Sequence, residues 1–386
     1  METAEETIET ENSATNKVSG KRSELSKKYA NTNRAISLAE TLIFFAFMLI
    51  IIFTGLSKVI QEHVYDYTSN DFAALIIFFA VIGITQSAIT FPLSFYSEYT
   101  LEHKYGLSNQ TLSVYFKEKL KGLALGIALG VPMLMIFFYI ISHYPENWWF
   151  IFGVIIFFFS VVIGRLAPVL IMPLFFKFKP IENEEIRDRI LSLCKKTGVN
   201  VQGIFEFDMS RNTKKANAAF TGIGKSKRII LGDTLLKNFS PEEIETVFAH
   251  EMGHYRKRHI LKLMSVSVIM TFAGLYLTSV LYSDTLASFG FSSVSEIAAL
   301  PLLFVYLSLF GLFTTPVSNI LSRKFEWEAD TYALETTKDK EAFISAMEKL
   351  ADQNLSDTTP NSVIEFLFHS HPSTDKRIKF AENFSD

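Results

Sequence analysis

Three features are scarce or missing in this chain of 386 residues, and each of them narrows the possible functions. Cys194 is the single cysteine, so the chain cannot form an internal disulfide, and its place in ILSLCKKTG predicts a packing residue on a helix. A formal net charge of −3 leaves no basic excess for binding phosphates, so nucleic acid is not expected as a partner. Internal repeats and low-complexity tracts are also absent from the sequence.

Residues 1–39 lack a long apolar run. They begin with the acidic segment METAEETIETE and become basic between Lys17 and Arg34. Because no apolar core is followed by a small-residue cleavage site, we expect no cleavable signal peptide. The composition predicts a polar N-terminal tail that is disordered or peripheral.

Apolar residues dominate the rest of the chain: 49% of all residues are hydrophobic, 14% are aromatic, and 37 are phenylalanine. A helix needs about 20 apolar residues to cross the hydrocarbon core of a bilayer. Such stretches occupy residues 40–60, 72–92, 122–142, 148–175, 261–282 and 298–321. A large soluble core is the weaker explanation, because buried helices of soluble proteins rarely stay apolar on every face for this long. The sequence therefore predicts an α-helical integral membrane protein with six transmembrane helices.

Lysine and arginine are distributed asymmetrically between the two sides of these predicted spans. Residues 61–71, 143–147 and 283–297 contain neither residue type, whereas the alternate segments 1–39, 93–121, 176–260 and 322–386 contain many. Cytoplasmic segments carry the excess of positive charge in membrane proteins. Both termini and the long segment 176–260 are therefore predicted to be cytoplasmic.

Two segments outside the spans form the predicted cytoplasmic domain. Residues 176–260 contain a helix (ENEEIRDRILSLCKKTG), two strands (GIFEFDMS and KRIILGD) and a second helix after GDTLLKNF. Residues 322–386 are mainly helical, with a polar loop at DQNLSDTTPNS. The pattern predicts a mainly helical domain with a small β-hairpin or sheet.

The segment SPEEIETVFAHEMGHYRKRH, residues 240–259, carries the clearest chemical signal. Ser240 and Glu243 form a capping-box pattern, so a helix is expected to begin there. His250 and His254 are four residues apart and share one face of that helix, where two imidazoles can bind a single zinc ion. Glu251 lies beside them and can hold the attacking water. A solvent-exposed helix with two surface histidines is the alternative explanation of this motif.

A zinc peptidase needs a third protein ligand and an open fourth position. Glu326 and Asp330 lie one helical turn apart in LSRKFEWEADTYALE, directly after the sixth span. Glu326 is the candidate ligand, and Asp330 is the candidate acceptor for the far nitrogen of a ligand histidine. Glu328 lies on another face and is the poorer candidate. A solvated acidic face is the alternative. Because the fifth and sixth spans are antiparallel, their cytoplasmic ends bring both groups to one metal.

HEMGH (250–254) and EWEAD (326–330) together resemble the motifs of membrane zinc peptidases of the gluzincin type. FYSEYTLEHKYGLSNQT (95–111) and APVLIMPLFFKFKP (167–180) are similar to two further motifs of the type I CAAX prenyl endopeptidases. The four motifs occur in that family's order, and the resemblance covers roughly residues 70–386. It implies membrane helices around a chamber, a zincin-like catalytic domain, and one zinc ion per chain.

The resemblance also implies roles for three further residues. Asn217, in ANAAFTG, matches a family motif on an edge strand that pairs with the substrate backbone. His371 and Arg377, in HSHPSTDKRI, match a motif near the reacting carbonyl and the zinc-ligand carboxylate. Turn chemistry is the alternative explanation for Asn217, and a surface His-Pro turn is the alternative for His371.

This sequence departs from the family's pattern in two ways. Family members usually have seven spans, and this chain is expected to lack the first, which leaves the shape of the chamber open. His103 and Leu107 stand where the family usually has an acid and a phenylalanine. The shorter form favours a bacterial relative in the inner membrane, with the endoplasmic reticulum membrane as the alternative. Prenylated CAAX substrates are not expected in a bacterium, so the identity of the substrate stays open.

The sequence thus predicts a membrane-embedded zinc metalloendopeptidase. Zinc on His250, His254 and Glu326 would activate a water, Glu251 would move its proton, and His371 would meet the developing oxyanion. The expected partners are the lipid bilayer and a peptide or lipidated peptide, including C-terminal CAAX-like ends; the oligomeric state is not predicted. A transporter or channel without peptidase activity is the alternative, based on Arg165 within the fourth span.

Overall fold

The computed structural model describes residues 2–199, 201–221 and 228–385, with side chains for residues 22–199, 201–220 and 228–385. Helices account for most of the described chain. In chain order they are α1 (Glu2–Phe53), α2 (Leu56–Tyr67), α3 (Asp71–Phe95), α4 (Glu102–Lys104), α5 (Leu112–His143), α6 (Trp148–Leu166), α7 (Met172–Phe175), α8 (Glu184–Thr197), α9 (Asp233–Asn238), α10 (Pro241–Arg256), α11 (His259–Thr285), α12 (Leu300–Thr337), α13 (Lys340–Gln353), α14 (Ser362–Phe368) and α15 (Thr374–Glu382).

Six helical stretches among the described residues are long and apolar enough to cross a membrane, which confirms the predicted number. They contain α1, α3, α5, α6, α11 and α12. Short π-helical segments, Tyr96–Leu101 and Ala167–Ile171, extend α3 and α6. The first lies in the motif that follows the second predicted span, and the second lies in the motif at the end of the fourth predicted span, so both helices continue into these motifs without a loop.

The N-terminal segment differs from the expected disordered or peripheral tail. Residues 2–53 form one continuous helix, α1, so the polar segment and the first span are a single element. Arg22 forms an ion pair with Asp352, and the Tyr29 hydroxyl donates to the Glu102 carboxylate. Composition could not show this order, because the partners of these polar side chains lie far away in the sequence.

The end of the first span also differs from its predicted limit at residue 60. α1 ends at Phe53, and Gly55 takes a left-handed backbone conformation with φ 72°. Glycine adopts such a conformation without steric cost. The chain then continues as the amphipathic helix α2, which places Lys58 beyond the span, where its ammonium group donates to the carbonyl of Gly290.

A four-stranded sheet lies outside the membrane helices. Its strands are β1 (Phe178–Pro180), β2 (Gly203–Phe207), β3 (Ala218–Thr221) and β4 (Arg228–Gly232), in the spatial order β1-β2-β4-β3. β2 and β4, the two predicted strands, pair in parallel and therefore do not form a hairpin. β3 was not predicted from the residue pattern; it pairs antiparallel with β4 and leaves its other side at the edge of the sheet.

The sheet, α8, α10, α13 and the end of α12 share one hydrophobic core, separate from the core of the helices that could span a membrane, and we call this unit the extramembrane domain. Cys194 on α8 belongs to this core, in agreement with its predicted packing role. Burial raises the pKa of its thiol to about 11, so the thiolate that a nucleophile requires is disfavoured.

α10 and α12 pack against each other at Gly253. A Cβ atom built on Gly253 would lie 3.0 Å from Cα of Ala329 and 3.1 Å from Cβ of Tyr332. Both neighbours are fixed to the backbone of α12 and cannot rotate away. A side chain of any size at position 253 would therefore push the two helices apart.

We expect Gly253→Ala to lower the free energy of unfolding by about 1–3 kcal/mol, because it overpacks this helix contact. Thermal unfolding of the detergent-solubilised protein would measure the loss. Gly122→Ala on α5 is the matched control, since a Cβ there meets nothing within 4 Å, and it should not lower the midpoint. Equal midpoints for the two variants would contradict the close contact.

Candidate metal centre

α10 begins where the sequence pattern predicts and presents the two histidines of HEMGH on one face. The Ser240 hydroxyl accepts from the amide of Glu243, and the Glu243 carboxylate accepts from the amide of Ser240, which completes the capping box. One helical turn separates His250 from His254, and their Nε2 atoms lie 3.1 Å apart. The predicted spacing therefore places two imidazole nitrogens at one point.

α12 brings Glu326 to the same point. Its two carboxylate oxygens lie 3.3 Å from Nε2 of His250 and 3.2 Å from Nε2 of His254. Glu326 is 4% exposed and His250 is 8% exposed, so the cluster is largely shielded from water. The ligand atoms of the three residues lie within 4.8 Å of one another, which makes them a candidate metal site.

Asp330 and Arg377 fix the ring of His250 at Nδ1, on the side that faces away from the cluster. Nδ1 of His250 lies 2.8 Å from Oδ1 of Asp330, which is fully buried. Arg377 on α15 donates to both oxygens of Asp330, at 2.8 Å and 2.5 Å, and its guanidinium lies 3.9 Å from the Glu326 carboxylate. Two hydrogen bonds in parallel fix the buried carboxylate and balance its charge.

The donor set fits a bound metal ion. Because Nδ1 of His250 donates to the Asp330 carboxylate, the neutral form of the ring presents the lone pair of Nε2 to the cluster. Glu326 contributes acceptor oxygens, and its buried Oε2 has no hydrogen-bond partner. Lone pairs converging in a buried site are unfavourable unless a cation lies between them. His250, His254 and Glu326 would hold that cation.

Glu251, Asn217 and His371 line one cavity of about 660 Å³ beside this cluster. Burial raises the pKa of the Glu251 carboxyl, while the neighbouring histidines favour its ionised form. Asn217 directly precedes the edge strand β3, and its backbone carbonyl accepts from the amide of Gly232. Nε2 of His371 is 3.3 Å from Glu326, although the side chain is 61% exposed. The structure thus brings all the predicted site residues together.

His259 and Glu328 also belong to this region; sequence reasoning missed His259, and it considered Glu328 only as the poorer ligand candidate. His259 contacts His254 through their Nδ1 atoms, 3.0 Å apart, and it contacts Glu328 at 3.0 Å. Glu328 lies on a different face of α12 from Glu326, as predicted, and is not among the candidate ligands. The histidine five residues after His254 was the signal available in the sequence.

Arg165, which supported the transporter alternative, lies at the last turn of α6 with an exposed side chain. The cluster of His250, His254 and Glu326 is formed by α10 and α12, and Arg165 is on neither of these helices. The transporter alternative therefore has no support in the arrangement of the site.

Two family models together match nearly all of the chain. The model of peptidase family M48 matches residues 180–385, and the model "CAAX prenyl protease N-terminal, five membrane helices" matches residues 5–177. The second region contains four helical stretches that could span a membrane among its described residues. The first model covers more than half of the chain and includes every residue of the candidate metal centre.

Curated relatives and a solved structure agree with these matches. An uncharacterized metalloprotease, YhfN, of Bacillus subtilis (strain 168) is 30% identical over 93% of this chain and 85% of its own length. CAAX prenyl protease 1 of Saccharomyces cerevisiae is 31% identical over 80% of this chain and 72% of its own. The crystal structure of Ste24p of S. mikatae matches with a TM-score of 0.84 and 28% identity, covering 94% of this chain and 89% of that chain. The chain therefore belongs to peptidase family M48 and is a multi-pass membrane metalloprotease of the CAAX prenyl protease (Ste24) family.

Proposed function

We propose that the chain is a zinc endopeptidase that binds one zinc ion through His250, His254 and Glu326. The donor set of two imidazoles and one carboxylate suits zinc, whereas calcium and magnesium prefer oxygen ligands alone. The two Nε2 atoms lie 3.1 Å apart, and each lies 3.2–3.3 Å from a different oxygen of Glu326. One ligand atom from each of the three residues lies within 4.8 Å of the others, close enough for a single ion to reach all three.

Glu251 is the proposed general base, and its place in the cavity beside the cluster is the observation that carries the proposal. When bound, zinc supplies a Lewis acid and makes water a nucleophile near neutral pH. Glu251 takes a proton from the attacking water and later delivers it to the leaving amine. The same carboxylate performs both proton transfers. Because water itself attacks the peptide bond, no covalent intermediate with the chain is needed.

His371, Arg377 and Asn217 are the proposed substrate-contacting and supporting residues. His371 is exposed to the cavity and close to Glu326, which suits a group that meets the oxyanion of the tetrahedral state. Arg377 acts through Asp330 by fixing His250. Asn217 lies at the start of an edge strand whose free side can pair with a peptide backbone.

The proposed substrates are membrane-associated peptides, with lipidated or CAAX-like C-terminal ends as the first class to test. The names of the related prenyl proteases support this class. Apolar side chains, including Val247, Met347, Leu350 and Phe368, line the cavity together with the polar groups, and they would accept the hydrophobic residues of such a peptide.

We further propose that both termini and the metal centre face the cytoplasm of a bacterial cell. The charge asymmetry of the connecting segments supports this orientation. Lys58 is the exception, because α1 ends at Phe53 and leaves this lysine in the outer segment. One lysine among three outer segments does not reverse the excess of Lys and Arg on the other side.

We expect Glu251→Gln to lower kcat for peptide cleavage by about 10²–10⁴-fold, because the amide cannot accept the proton of the attacking water. Cleavage of plain and prenylated peptides by purified protein, with zinc measured in parallel, would test this. Glu245→Gln, on the same helix but outside the cavity, is the matched control. A fully active Glu251→Gln would contradict the assigned base; wild type lacking stoichiometric zinc would contradict the metal.

His371→Ala is expected to reduce kcat by about 10²–10³-fold, the usual effect of removing one donor to an oxyanion. The zinc content should stay at the wild-type value, since the three ligands remain. Steady-state kinetics and metal analysis of the same preparation separate the two effects. Loss of zinc together with activity would instead make His371 part of the metal site.

Labelling of single cysteines would test the orientation, and Cys194→Ala supplies a cysteine-free background. Ser69→Cys in the outer segment should react with a membrane-impermeant maleimide on intact cells of a bacterial host. Glu182→Cys in the extramembrane domain, whose side chain is 80% exposed, should react only after the cells are permeabilised. The reverse pattern would invert the proposed topology.

A further inference from the structure

A second row of polar side chains lies behind the metal cluster, on the far side of His254. Nδ1 of His254 is 3.0 Å from Nδ1 of His259. Nε2 of His259 is in turn 3.0 Å from Oε2 of Glu328, and the Lys262 ammonium lies 3.6 Å from that same oxygen. The contacts therefore run without interruption from His254 to Lys262.

A break in the helix makes the contact between the two histidines possible. Residues five apart on a continuous helix point about 140° apart around its axis, so their rings would not meet. Here α10 ends at Arg256, and α11 begins at His259. Between them Arg258 takes a left-handed conformation with φ 56°, which is uncommon for a residue other than glycine. The bend turns His259 back towards the cluster.

Packing holds the ring of His259 in place. His259 is 1% exposed, and its ring stacks on Phe325 with centroids 4.3 Å apart and planes at 6°. Phe325 precedes the candidate ligand Glu326 on α12. The element that supplies the third metal ligand therefore also fixes the ring behind the second one.

The direction of the hydrogen bonds follows from what each group can accept. The Glu328 carboxylate is an acceptor, so Nε2 of His259 carries a hydrogen. The two Nδ1 atoms are 3.0 Å apart, so one of them donates and the other accepts, and a neutral His259 ring that donates through Nε2 can only accept through Nδ1. Nδ1 of His259 is then the acceptor for Nδ1–H of His254. This leaves the lone pair of His254 on Nε2, the atom that faces His250 and Glu326.

We propose that His259 and Glu328 are positioning residues that fix the tautomer and orientation of His254 for metal binding. The arrangement parallels the one behind His250, where Asp330 accepts from Nδ1 and Arg377 balances the charge. Each ligand histidine is thus linked to a carboxylate, directly for His250 and through His259 for His254, and a cation lies beside each carboxylate. The inference rests on the zinc site of the proposed function and extends it beyond the three ligands.

Zinc affinity of the full-length protein in detergent, measured by competition with a chromophoric chelator, tests the proposal without relying on activity. His259→Phe keeps a flat ring on Phe325 but removes both nitrogens. We expect it to weaken zinc binding about 10–100-fold, the usual effect of losing a partner behind a metal ligand. Glu328→Leu should weaken binding in the same direction, and Glu328→Gln should do so less, because its amide oxygen still accepts from His259.

A spectroscopic measurement separates positioning from packing. With Co²⁺ in place of zinc, His259→Phe should change the visible absorption bands, because His254 no longer has a fixed orientation. His63→Phe is the control, since His63 is exposed on α2 and bonds only to the backbone of its own helix. It should leave both the affinity and the spectrum at their wild-type values.

Three results would overturn the proposal. Zinc affinity of folded His259→Phe and Glu328→Leu within about two-fold of wild type would do so, whatever their thermal midpoints, and so would a Co²⁺ spectrum of His259→Phe equal to that of wild type. If His259→Phe does not fold, Glu328→Leu carries the test, because its side chain is 30% exposed. Wild type that binds no zinc would contradict the metal site itself and the positioning role with it, a result distinct from the other two.

Discussion

The contact between α10 and α12 is the constraint on which the rest of the structure depends. Gly253 on α10 faces the backbone of Ala329 on α12, and the absence of a side chain lets the two helices approach closely. HEMGH contributes two histidines on one side of that contact, and EWEAD contributes Glu326 on the other. Neither motif forms a site alone. Gly253 therefore matters for metal binding, because it sets the distance between the two histidines of α10 and Glu326 of α12.

A second principle of the site is the balance of buried charge. Asp330 is fully buried and receives two hydrogen bonds from Arg377. A buried carboxylate without a counter-charge would be very costly, and the two hydrogen bonds from the guanidinium offset part of that cost. As a result Asp330 serves as an acceptor for His250 without adding net charge to the cluster. The cation comes from α15, near the end of the chain, so the C-terminal helices are part of the site.

Much of this arrangement could be predicted from the sequence, because it depends on local patterns. The length of the apolar stretches predicted the number of spans, and the capping box predicted the start of α10. The four-residue spacing predicted that His250 shares a helix face with His254. The same spacing predicted a shared face for Glu326 and Asp330. Long-range contacts could not be read in this way. The helical order of residues 22–39, the strand β3 and the contact of His259 with His254 depend on partners elsewhere or on a backbone bend at Arg258. Such a bend has no sequence signal when the residue is not glycine.

One continuous helix, α12, carries both a membrane-spanning segment and Glu326. From Leu300 to Glu326 the helix rises about 39 Å, so the carboxylate stands at a fixed height relative to the apolar segment. No flexible linker separates the anchor from the metal centre along this path. The extramembrane domain therefore cannot be separated from the membrane-spanning helices without interrupting α12, the helix that supplies Glu326. The metal centre of this family member is therefore held at a fixed distance from the membrane-spanning segment of α12.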